Sequence, residues 1–239
     1  MKASLALRWD VRSARLTTFH SKPSATSWWQ LLHGVQAIKK SKRGALVEES
    51  GLIEGQNLLL SDQPARFDVV VTPGQVHAGP ELPVPSIGTL DAVTERMWQL
   101  ALQLTALKQY PTANRLAFGL TLFTVSFHRS QALQTLAQVF PELSKELKKA
   151  TDFVFQISHP ARMALDDTSL EIHCLQKWYF TQLKLDSRPP SGPVEAFTAN
   201  VDLDISTGIS SDRRLSASEA AKILPRLIHG AKRILEVST

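Results

Sequence analysis

The chain has 239 residues, 43% of them hydrophobic and 21% charged, a balance that excludes a disordered chain and suffices for a full hydrophobic core. One cysteine, Cys174, excludes an internal disulfide, and a net charge of +5 is only mildly basic, so the expected setting is the cytoplasm. The N-terminus lacks the apolar run of a signal peptide, and no segment approaches the roughly 20 apolar residues of a membrane helix, so no membrane contact is expected.

Leu5, Leu7, Trp9 and Val11 alternate with Ala6, Arg8, Asp10 and Arg12, which predicts a half-buried strand. A second short strand is predicted over 15–19, followed by polar punctuation at 21–27. Residues 28–40 read as a helix, because Trp28, Leu31, Leu32, Val35 and Ile38 fall on one stripe and Thr26 or Ser27 can cap it. Its predicted end carries Lys39, Lys40, Lys42 and Arg43, and Gly44 then breaks it. Segments 45–49, 52–60 and 66–72 predict a meander of three strands. The proline-rich stretch 73–86 can continue neither helix nor central strand, and reads as a linker or surface loop.

Residues 89–109 predict a helix capped by Thr89, with Val93, Met97, Leu100, Ala101 and Leu104 inward. A strand follows over 115–127. Leu116 to Leu122 share one face before Phe123, Val125 and Phe127 take the other, a pattern that suggests a bulge or cover on both faces. Ser130 opens another helix, interrupted by Pro141, with further turns over 143–150. Phe153, Phe155 and Ile157 start a strand that His159-Pro160 should end. A long strand over 169–185 has Leu170, Ile172, Cys174, Trp178 and Phe180 on one face, after a turn at Asp166-Asp167. A loop is expected over 186–193 and a strand over 195–205. Ser216 and Glu219 have capping-box spacing ahead of a last helix, in which Pro225 predicts a kink or a division.

Strands joined by short turns imply antiparallel pairing. The expected class is α+β, with antiparallel sheets and amphipathic helices in two lobes that can share one sheet. The N-terminal α+β lobe would cover 1–150, and a β-meander plus helix 151–239.

The chemistry-bearing residues are sparse. Cys174 lies on an apolar strand face, where a thiol is usually inert. There is no Gly-x-Ser-x-Gly elbow, no phosphate-binding glycine loop and no Cys-x-x-Cys or His-Glu-x-x-His spacing, so no catalytic residue, metal or cofactor is assigned. Asp202 and Asp204, with Asn200, share a strand face that His173 and Glu171 could join across a neighbouring strand. A divalent ion could be held there, although a solvated polar face needs the same residues. Lys39, Lys40, Lys42 and Arg43 form the dense cationic run, suited to phosphates or an acidic partner and also to a solvated helix end. Arg213-Arg214 and Lys232-Arg233 are smaller groups.

The strand 115–127, the short helix after it, strands 153–158 and 169–185, and the closing Val201-Asp202-Leu203-Asp204 strand with its amphipathic helix together resemble a sporadically distributed, uncharacterised bacterial family of about this chain length. The resemblance runs from Arg115 to the end of the chain and rests on pattern. It implies a bacterial accessory protein, encoded with a mobile or defence-type gene cluster, and assigns no site residue. The expected function is therefore a non-enzymatic binding or scaffolding subunit with protein partners. The alternative is a nucleic-acid-binding component using Lys39, Lys40, Lys42 and Arg43, and the third is a metal-dependent hydrolase or nuclease using Asp202, Asp204 and His173.

Overall fold

A computed structural model describes residues 8–20, 27–74, 84–166, 168–185, 194–208 and 213–237. Leu5 and Leu7, the punctuation at 21–26, most of the proline-rich stretch, Asp167 and the loop 186–193 lie outside the described residues.

The two short strands predicted before residue 20 form one, β1 (Asp10–His20). A register shift between Val11 and Ser13 inserts a residue and keeps Val11, Ala14 and Leu16 on the buried side. The predicted helix 28–40 is shorter. α1 (Trp28–His33) stops where Gly34 turns left-handed, at φ 68°, and its N–H reaches the Gln30 carbonyl at 2.8 Å. The cationic run is consequently not a helix end. It forms β2 (Lys39–Arg43), which turns back at Gly44 into β3 (Leu46–Ile53). β3 runs straight through Gly51, where a Cβ would strike the Trp29 indole. That glycine serves helix packing, and the turn comes later, at Glu54-Gly55, with φ of 50° and 78°. β4 (Gln56–Gln63) and β5 (Arg66–Pro73) complete the meander.

The short β6 (Gly88–Thr89) pairs with the start of β1. α2 (Leu90–Ala106) follows, with the Thr89 hydroxyl accepting from the Ala92 N–H, and buries Val93, Met97, Leu100, Ala101 and Leu104 as its spacing predicts. β7 (Ala113–Ser126) buries Leu116, Phe118, Leu120 and Leu122 on one face and Phe123 on the other, so both faces are covered there, and its register against β1 shifts by one residue at Asn114. After α3 (Arg129–Val139), a 3-10 turn and α4 (Ser144–Leu147) comes β8 (Val154–Leu165). β8 passes through Pro160, which was expected to end it, because an edge strand tolerates a missing N–H. β9 (Thr168–Leu185) and β10 (Val194–Thr207) precede α5 (Ala217–Val237), a single helix through Pro225. Ser216 and Glu219 close the capping box in both directions, at 2.8 and 3.3 Å.

Ten strands make one antiparallel sheet in the order β2-β3-β4-β5-β1-β7-β10-β9-β8, with β6 beside β1. It is a sheet-dominated mixture of helices and strands. Strands from both sides of residue 150 belong to it, joined where β7 pairs with β10. One buried row, Leu60, Val69, Leu16, Phe118, Ile205 and Cys174, crosses six neighbouring strands. The helices reach the sheet through this face. Trp28 stacks on Phe67, Phe140 meets Trp178 edge-on, Arg129 lies over Phe180, and α5 passes over Ile205 at Gly230. No described helix is long and apolar enough to cross a membrane.

Candidate functional site

β2 is the outermost strand beside β3, and all five of its residues are exposed. Period-two geometry sends Lys39, Ser41 and Arg43 to one face and Lys40 and Lys42 to the other. Cross-strand register then decides which cations are used locally. Lys40 faces Glu49, and its Nζ donates to that carboxylate at 2.8 Å. Ser41 faces Glu48 and donates to it at 3.2 Å. Among the described residues no carboxylate pairs with Lys39, Lys42 or Arg43.

Glu49 anchors the inner side of this edge. Besides Lys40 it accepts from the Trp29 backbone N–H at 2.9 Å and from the Ser27 hydroxyl at 2.7 Å, so the first turn of α1 is tied to β3. Burial would raise its pKa, but these donors outweigh it and hold the carboxyl below the ordinary glutamate value.

The second candidate set lies on the sheet face opposite the helices, and its members go to separate partners. Asp204 accepts from Arg15 at 2.9 Å, and Asp202 accepts from the Tyr179 hydroxyl at 3.3 Å. Asn200 is fully buried and donates to the Tyr179 and Thr198 carbonyls. His173 lies 3.0 Å from Glu171. Among the described residues no group of three His, Cys, Asp or Glu side chains is placed to hold a metal ion. A recess of about 420 Å³ does open here, bounded by Arg15, Lys177, Asp202 and Asp204. Cys174 is on the helix side, and burial pushes its thiol up, away from the reactive thiolate.

Sequence reading missed the pairing of rings with cations on this opposite face. Phe19 lies between Arg66 and Arg115, with the guanidinium carbons 5.6 and 5.2 Å from the ring centre. Arg12 covers Phe123 at 5.1 Å, and Lys177 covers Tyr179 at 5.5 Å. Only Tyr179 stood out in the sequence, because the other pairs join strands whose register cannot be read from spacing. The two smaller cationic groups are partly engaged: Arg213 lies 3.5 Å from Glu219, and Lys232 lies 2.6 Å from Asp91.

No protein-family model matches this chain, and no curated protein matches it.

Proposed function

We propose that the chain is a binding or scaffolding subunit whose contact surface is the β2 edge, and that its partner presents an acidic extended segment. The observation that carries this reading is the position of Lys39, Lys42 and Arg43 on an outermost strand exposed along its whole length. An edge strand offers a row of backbone donors and acceptors that an added strand can pair with. Lysines on such an edge repel basic strands, including a second copy of β2, and penalise apolar ones that would have to desolvate the charges. An acidic segment gains both the backbone ladder and the charge pairing, so the same side chains that guard the edge select the partner. Lys40 is already committed to Glu49, leaving the other three as the selective charges.

The test is recovery of the full-length chain from its host with bound partners, beside the triple variant Lys39→Glu, Lys42→Glu, Arg43→Glu. The expected result is a protein partner that the variant loses, together with roughly tenfold or greater weakening for an acidic strand-forming peptide. A partner retained unchanged by the variant would overturn the assignment. The unpaired state of Lys39, Lys42 and Arg43 also suits phosphates, which gives a second reading as a nucleic-acid-binding component. Phosphate contacts weaken steeply with salt, so negligible DNA and RNA affinity at low salt removes it.

A further inference from the structure

The cleft between α2 and α5 holds a different chemistry. α5 buries Ile223, Leu227 and Ala231, while Lys222, Arg226, His229 and Arg233 recur at i, i+4, i+7 and i+11 on an exposed stripe. The last three of these border a cavity of about 820 Å³ whose other walls are α2, the end of β8 and Ile172 of β9. That volume falls within the roughly 300–1,000 Å³ usual for small-molecule sites. Met163 of β8 and Ile172 of β9 supply apolar surface.

The α2 wall contributes Trp98, with 40% of its surface exposed, whereas Trp9, Trp28, Trp29 and Trp178 are at most 4% exposed. Trp98 falls outside the buried stripe of its helix. Two carboxylates also border the cavity: Asp91 is paired with Lys232 at 2.6 Å, while Glu95 accepts from the neutral Gln99 amide at 2.9 Å and keeps its charge. Arg226 donates to the Ala164 carbonyl. Arg233 has no described carboxylate partner, whereas Arg162 stands opposite Glu171 on the other face of the sheet. The cavity thus joins a partly exposed tryptophan to two guanidinium groups.

We propose that this cleft binds a nucleotide, with the base stacked on Trp98 and the phosphate held by Arg226 and Arg233. A planar base matches the indole face, and a phosphate matches the planar fork of arginine. The unit recognised is base plus phosphate, supplied either as a free nucleotide or within a single strand. The site is separate from β2 and does not depend on the edge-strand reading.

Trp98 reports on its own site, because acrylamide reaches an exposed indole and not the four buried ones. The full-length chain would be titrated with AMP, with a short oligoadenylate and with inorganic phosphate, following acrylamide quenching and binding heat. The expected result is saturable protection of Trp98 by AMP or the oligonucleotide. Protection by AMP identifies the free nucleotide as sufficient, and protection by the oligonucleotide alone identifies a strand. Arg233→Glu and Arg226→Glu should each weaken binding roughly tenfold with unchanged circular dichroism, and the triple β2 variant should bind normally. Trp98→Phe should remove the optical signal and weaken the calorimetric one. The proposal is overturned if millimolar ligand neither protects Trp98 nor gives heat, or if Arg233→Glu binds as well as the original. It is equally overturned if inorganic phosphate competes as strongly as AMP, which would leave an anion site without base recognition.

Discussion

Two buried ionisable groups link single side chains to pH-dependent stability, with opposite signs. For Glu49, burial raises the pKa, but the bonds from Lys40, Trp29 and Ser27 win and hold it below 4.5. Its stabilising contribution is present above the unfolded value and is lost as pH falls through the lower, folded one. Glu49→Gln should cost about 2 kcal/mol at neutral pH, and the gap to the original chain should close below the ordinary glutamate pKa. Urea denaturation across that range measures both. Tyr110 runs the other way. Burial pushes its phenol up to about 12, eased slightly by the 2.7 Å hydrogen bond to Thr18. Above pH 10 the unfolded chain ionises first, so the stability from neutral Tyr110 is lost as pH rises towards the folded value. Tyr179 is also raised, by burial and then by Asp202. Neither of the two tyrosines should therefore titrate at its ordinary value in the folded protein. Ultraviolet absorbance on alkaline titration would show this, and Tyr110→Phe should abolish the later step.

At the scale of elements, the two edges of the sheet differ in how they are protected. β2 carries a cation at four of its five positions, whereas β8 has no Lys, Arg, Asp or Glu from Val154 to Ala161 and exposes Val154 and Ile157. A partly apolar edge without lysine, arginine or carboxylate guards is open to pairing with other chains. Ile157→Lys should reduce concentration-dependent association, read by light scattering, without lowering the melting temperature. Elements with a clean period were legible in the sequence. Alternation over 197–205 gave β10, and the stripe from Val93 to Leu104 gave α2, because burial on one face enforces the pattern. The run 28–40 misled for a physical reason. Its apolar spacing fits a helix, but the left-handed turn at Gly34 and pairing with Glu48 and Glu49 decide otherwise. Gly51 reads as punctuation in sequence and is set by the approach of Trp29. The cationic stripe of α5 was open to the same helical counting that found its apolar side, whereas the ring–cation pairs depended on long-range register.

Across the whole molecule, the sequence suggested lobes divided near residue 150, and the sheet sets the mechanical consequence. β7, before that point, pairs with β10, after it, along ten residue pairs. Phe118 sits fully buried at this seam, between Leu16 and Ile205. Neither side can unfold without exposing the seam of the other, since α5 also packs on both β7 and β10. Heating should therefore give one cooperative transition, with the calorimetric and van't Hoff enthalpies agreeing. Phe118→Ala should cost about 3–5 kcal/mol, lowering that transition by roughly 10 °C for a chain of this size. It should move as a unit, with tryptophan emission and far-UV signal shifting together, because Trp28, packed on β5, and Trp178, in β9, report from opposite sides of the seam. Two separated transitions in the Phe118→Ala variant would mean that the halves hold themselves independently and that the shared row is not what couples them.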